Sequence, residues 1–163
     1  MAKLYVMVGC PGSGKSTWCQ NYATPADRHV SRDDIRFALV EEDEEYFSRE
    51  KEVFRSFAEQ INFYLESGYN VFADATHLNK ASRNKLLRAI PAKVDEIDAV
   101  YIKTPLWKAL EQNEKRKGTR SYVPKSVIRR MNCQIEQPTF EEGFSKIYIV
   151  EGEKLTTIVK KED

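Results

Sequence analysis

"VGCPGSGKSTW", Val8 to Trp18, places three glycines, a lysine and two serines directly behind the short apolar run Leu4 to Val8. Gly9, Gly14, Lys15 and Ser16 satisfy G-x-x-x-x-G-K-[ST], the spacing of a loop whose backbone N–H groups cradle phosphates. The flanks agree with that reading. Lys3 to Val8 has the β-branched and aromatic content of a buried strand, and Lys15 to Tyr22 can follow as a helix. The motif therefore sits after a strand and at a helix N-terminus, where unpaired N–H groups and the helix dipole both favour an anion. Gly12 and Gly14 allow close backbone approach to the phosphates, and Ser13 between them is a candidate phosphate-binding residue. Lys15 is assigned to the β- and γ-phosphates, the Ser16 hydroxyl to Mg²⁺ and Thr17 to the α-phosphate. ATP and Mg²⁺ are the expected cofactors, although nothing in the motif separates ATP from GTP.

Outward from this loop, strands and helices alternate. A brief strand near Arg28 to Val30 leads to Ser31 as N-cap of a helix from Arg32 to about Val40. A long helix follows, with Phe47, Val53, Phe54, Phe57, Ala58, Ile61 and Leu65 near the helical period and Gly68 as its stop. Asn70 to Thr76 reads as a buried strand, Asn79 as the cap of a helix over Lys80 to Ile90, and Val94 to Lys103 as a further strand. Thr104 and Pro105 then suit N-cap and N1 of a helix whose apolar side is Leu106, Trp107 and Leu110, and Pro124 suits N1 of the next. Ile147 to Val150 and Leu155 to Val159 complete the pattern as a hairpin or two last strands. The expectation is one α/β domain over residues 1–163, a three-layer sandwich around a mainly parallel sheet.

A phosphate seat does not say what receives the phosphate. A hydrolase or switch positions water, whereas a kinase places a base beside an acceptor hydroxyl. In "SRDDIR", Ser31 to Arg36, Asp34 falls at N3 and has a capping role, which leaves Asp33 free. Asp33 shares a helix face with Arg36 at i, i+3, so a carboxylate and a guanidinium can address one molecule that carries both a hydroxyl and a phosphate. Asp74 ends a strand on the same rim as the phosphate loop, where it can hold Mg²⁺ through water or orient Arg36. Thr76 and His77 follow within reach of an acceptor phosphate, with His77, a lone histidine, read as packed or solvated rather than catalytic. The basic stretch Lys115 to Arg120 reads as part of a lid over residues of about 111–124, with Arg116 chosen to neutralise the transferring phosphoryl group.

With these residues in view, the sequence resembles the kinase domain of phage-type polynucleotide 5′-hydroxyl kinases, within the P-loop kinase class. "GCPGSGKSTW", "RDDIR", "DATHLN" and "NEKRKGT" followed by "VP" and "VIRRM" occur in the family's order. The resemblance spans nearly the whole chain and implies a P-loop kinase architecture with a helical lid. It also implies ATP-dependent transfer to a nucleic acid 5′-hydroxyl end, DNA or RNA, an activity of nucleic acid repair. Under it Asp33 is the general base, Arg36 binds the phosphate next to the hydroxyl, Asp74 buttresses Arg36 and Arg116 stabilises the transferred phosphoryl. Gln112 stands where the family has a first lid arginine, and "DATHLN" has one residue more than the family's pattern. The phosphatase domain often joined to such kinases is not expected.

Composition narrows the alternatives. Hydrophobic residues at 41% and charged residues at 31% suit a soluble domain, the longest apolar runs are too short to cross a bilayer, and no N-terminal leader is read, so a cytoplasmic protein without membrane partners is expected. Cys10, Cys19 and Cys133 lack metal-ligand spacing and are read as reduced and not catalytic. A net charge of +1 excludes an argument from bulk basicity, and the run Glu41 to Glu45 is read as a solvated face. Two other functions remain open: a kinase of a nucleoside or other small hydroxylated metabolite, and an ATP-binding module without catalysis.

Overall fold

The hexapeptide KLYVMV forms the central strand β1 (Lys3–Val8) because side chains on both of its faces meet apolar partners. In the computed structural model, which describes residues 2–160, β1 is followed by α1 (Lys15–Tyr22), β2 (Asp27–Ser31), α2 (Arg32–Leu39), α3 (Glu50–Glu66) and β3 (Asn70–Asp74). Next come α4 (Lys80–Arg88), β4 (Glu96–Ile102), α5 (Leu106–Glu114), α6 (Lys125–Gln134), a 3₁₀ turn (Phe140–Glu142), β5 (Lys146–Glu151) and β6 (Lys154–Val159). Met1 and residues 161–163 of the expected domain lie outside the described residues.

The six strands form one sheet in the order β2-β3-β1-β4-β5-β6, parallel throughout except for the terminal β5–β6 hairpin. Alternation along the strands divides the core in two. Leu4, Val6, Val71, Ala73 and Ala99 pack with Val53, Phe57 and Ile61 of α3 and Leu86 of α4. Met7, Phe72, Val100 and Ile102 pack on the opposite face with Cys19 of α1. This is the expected three-layer α/β sandwich. Phe57 and Ile61 are fully buried, and each stabilises the fold by roughly 1.5–3 kcal/mol. Because β1 hands the chain toward β2 through α1, while β3 hands it across to β4 through α4, the carboxyl ends of β1 and β3 flank a crevice.

Several local readings shift. The long helix begins at Glu50, not near Phe47, because Glu44 closes the preceding turn through two bonds from Arg49, at 2.9 and 3.1 Å. β3 stops at Asp74, before Thr76, since the backbone turns there so that the Thr76 carbonyl accepts from Gly9 N–H at 3.0 Å. Pro105, not Thr104, is the N-cap of α5; the Thr104 hydroxyl instead donates to the Ser13 carbonyl at 2.8 Å and ties this helix to the phosphate loop. Pro124 likewise occupies the N-cap rather than N1 of α6. Trp107 points outward and Ala109 takes the buried position on α5.

Candidate active site

The loop between β1 and α1 has the features an anion seat requires. Gly12 and Gly14 adopt φ of +81° and +101°, and a Cβ at Gly12 would lie 2.6 Å from the Ala109 carbonyl oxygen, so only glycine fits there. No side chain caps the start of α1, which leaves its first N–H groups for a ligand. Ser13 Oγ is buried without a partner among the described residues, an orphan polar atom facing the same loop. The Lys15 ammonium is folded back, donating to the Gly9 and Cys10 carbonyls at 3.0 and 2.8 Å. Burial holds its pKa below the usual lysine value, against the opposing charges of Asp74 and Asp33. Ser16 and Thr17 lie exposed on the first turn of α1. These groups fit a nucleotide's phosphates.

Beside the loop, one oxygen of Asp74 is shared. Asp74 Oδ2 accepts from Ser16 Oγ at 2.6 Å and meets His29 Nε2 at 2.8 Å. Burial works to raise the Asp74 pKa, but the His29 bond, the Lys15 charge and the Ser16 bond outweigh it and hold the carboxylate below its ordinary value. A hydroxyl and an ionised carboxylate side by side form a donor set suited to Mg²⁺ and its waters.

The adjoining part of the site is built from α2 and the turn before α3. Ser31 Oγ accepts from Asp34 N–H at 3.3 Å, which fixes the start of α2 and leaves Asp33 pointing out of the cap. Arg36 Nη1 donates to Asp33 Oδ1 at 2.7 Å, and Tyr46 Oη donates to that same oxygen at 3.2 Å. Asp33 Oδ2 has no hydrogen bond among the described residues, and the side chain is 59% exposed, so one carboxylate oxygen is free to take a proton. The guanidinium is held from behind by Glu50 of α3, with Nε donating to Oε1 at 2.6 Å and Nη2 to Oε2 at 3.0 Å. Burial alone would lower the Arg36 pKa, yet Glu50, Tyr46 and Asp33 drive it upward, so the side chain is a permanent cation. Arg32 also reaches Glu50, at 3.0 Å, and its Nε is buried without a partner among the described residues.

Lys15, Asp33, Arg36, Asp74, Thr76 and Arg116 line one cleft of about 210 Å³. The structure therefore brings together residues far apart in sequence. It also corrects one implied contact: the bonds of Asp74 go to Ser16 and His29, and Glu50 is the carboxylate that buttresses Arg36. His77 is buried, with Nδ1 at 2.7 Å from the Met7 carbonyl, and burial lowers its pKa to about 4, so it is a neutral packing residue. The segment after α5 runs through turns and is clasped at its base by Asn113, whose Nδ2 donates to the Val123 carbonyl at 2.6 Å and whose Oδ1 accepts from Val123 N–H at 3.0 Å. Arg120 in that segment does not enter the cleft wall but donates to the Phe37 and Val40 carbonyls at the end of α2. Glu50, His29, Tyr46 and Asn113 had no local sequence signal, since each acts across 10 or more residues.

The sequence pattern of the protein family described as AAA domain matches residues 4–138. Among solved structures, the Pnkp1/Rnl/Hen1 RNA repair complex contains a chain 25% identical, with a TM-score of 0.70 over 82% of this chain and 44% of that one. The present chain thus spans less than half the length of that relative. Chaetomium thermophilum Kti12 in complex with ADP-AlF3 is 17% identical, with a TM-score of 0.67, covering 92% of this chain and 89% of that one. A gluconokinase from Sinorhizobium meliloti 1021 is 18% identical, with a TM-score of 0.58, covering 85% and 78% of the two chains. The last two likenesses are of fold. No described helix is long and apolar enough to cross a membrane.

Proposed function

The chain belongs to the AAA domain family and has a P-loop kinase fold, and from this premise we propose that it transfers the γ-phosphate of ATP to the 5′-hydroxyl of a nucleic acid, as a kinase of the phage-type polynucleotide class. The observation that carries this reading is the Asp33–Arg36 pair, 2.7 Å apart, in the cleft that also contains Lys15. A metabolite kinase needs the base; an arginine fixed beside that base adds a seat for an acceptor phosphate. The RNA repair complex among the similar structures supports the same substrate class.

The chemistry assigns each side chain one task. Ser16 and Asp74 would hold Mg²⁺, which when bound would supply neutralisation of charge on the nucleotide's phosphates. Lys15 leaves the Gly9 and Cys10 carbonyls for the β- and γ-phosphate oxygens, recovering partners for its charge. The phosphate next to the acceptor's terminal hydroxyl approaches Arg36. Four of that guanidinium's five N–H groups are engaged by Glu50, Asp33 and Tyr46, so one remains on Nη2 and the phosphate competes with Asp33 for Nη1. Occupation by the phosphate loosens Asp33 from Arg36 while Tyr46 still orients it. The acceptor oxygen then attacks the γ-phosphorus in line, its proton passes to Asp33, the bond to the bridging oxygen breaks and ADP departs. Arg116 and Thr76 face the transferring group and the acceptor phosphate.

Arg36→Ala tests the reading. It is expected to impair oligonucleotides that bear a phosphate beside the hydroxyl far more than nucleosides that lack it. Unchanged rates on those oligonucleotides would contradict the proposal.

A further inference from the structure

We propose that Phe47, backed by Tyr46, is a stacking surface for the first base of the acceptor strand; the inference rests on the polynucleotide kinase reading above. Phe47 lies outside both core clusters and is 46% exposed, yet it lines the same cleft as Asp33 and Arg36. Tyr46 meets it edge to face, with ring centroids 4.6 Å apart and planes at 90°. The Arg36 guanidinium carbon also lies over the Phe47 ring, 5.3 Å from its centroid, and nearly half of the side chain remains exposed beside these two contacts. Tyr46 is itself immobilised, since its hydroxyl donates to Asp33 and accepts from Arg36 at 3.3 Å while its ring lies 4.8 Å from the guanidinium carbon. The part-exposed ring of Phe47 is therefore mounted on the machinery that is to hold the hydroxyl and its neighbouring phosphate.

With the hydroxyl at Asp33 and the adjacent phosphate at Arg36, the first sugar lies between the two, and its base is held in the cleft that Phe47 also lines. Base–aromatic stacking tolerates any base, because each has a π-face. The same loop is unsuited to the strand's backbone. Glu41, Glu42, Asp43 and Glu45, all exposed, immediately precede Tyr46 and repel phosphodiesters. The loop thus reads a planar, uncharged group and no more.

Two acceptors test this: matched single strands with a 5′-hydroxyl, one normal and one whose first residue is abasic. The unmodified protein is expected to favour the normal strand by about tenfold or more in kcat/KM. That ratio should fall toward one in Phe47→Ala and Phe47→Leu and return in Phe47→Trp. It should also hold as salt rises, since no phosphate contact is involved. In a binding assay without transfer, a terminal 2-aminopurine should lose fluorescence on the unmodified protein and keep it on Phe47→Ala. Equal use of both strands, with quenching that survives Phe47→Ala, overturns the stack and leaves the kinase reading standing. If no strand is phosphorylated, the kinase reading fails instead, and the quenching alone decides: its loss in Phe47→Ala sustains the stack, while equal or absent quenching overturns it.

Discussion

Arg36 of α2 and Glu50 of α3 form a two-point ion pair, at 2.6 and 3.0 Å, that couples the cleft to the main helix of the core. The arginine side chain is 7% exposed and the glutamate 32%, so the pair lies at the boundary between packing and solvent. Hydrogen bonds of this charged kind contribute about 1.5–3 kcal/mol, mostly as the cost of leaving the cation unpartnered.

Glu50→Gln keeps the shape but removes the charge behind Arg36. The acceptor KM is expected to rise roughly tenfold, in keeping with the loss of one such charged bond, with the ATP KM unchanged. Steady-state kinetics with each substrate varied in turn makes the separation.

Nucleotide binding should be visible as stabilisation. At a hundredfold excess over Kd, ATP with Mg²⁺ adds about 2.7 kcal/mol, or roughly 5–10 °C in Tm for a domain of this size. Lys15→Ala should lose most of that rise in thermal melts, and a chelator should diminish it in the unmodified protein.

Acid should weaken the fold in two steps. His77 is held neutral, its pKa lowered to about 4 from 6.5, so the unfolded chain binds the extra proton between those values. Stability is therefore lost as pH falls through that window, by about 3 kcal/mol at pH 4. Burial acts to raise the pKa of Glu50 and of Glu142, but their arginine partners hold both below the ordinary 4.5, so their contribution is lost only at lower pH. Denaturant titrations from pH 7 to 4 should show the first loss, and His77→Asn, which tolerates the φ of +42° there, should flatten it.

The clasp between Asn113 and Val123 gives a local prediction. Asn113→Ala removes both bonds to Val123, a loss of about 1–3 kcal/mol confined to that loop. Hydrogen exchange at the Val123 amide should accelerate tenfold or more, and transfer should slow because Arg116 is no longer held over the cleft.

Local chemistry explains which features could be read from the sequence. The glycine loop, the Ser31 cap and the alternating strands are each encoded within a few residues, so the layers and the strand-loop-helix seat were legible. Asp33 and Arg36 were legible as one helix face for the same reason. What supports them was not: Glu50 reaches Arg36 from the next helix, and His29 reaches Asp74 from the neighbouring parallel strand. Phe47 fits the helical period of α3, and only the Glu44–Arg49 turn reveals that it stands in front of that helix, in the cleft.

The central claim is most directly tested by offering γ-labelled ATP and Mg²⁺ with a panel of 5′-hydroxyl DNA, RNA, nucleosides and sugars, to the unmodified protein and to Asp33→Asn. The account predicts label on the oligonucleotide 5′ ends, falling about 10²- to 10⁴-fold in Asp33→Asn while nucleotide binding persists. Label on sugars or nucleosides alone, or transfer to oligonucleotides that Asp33→Asn leaves intact, would contradict it.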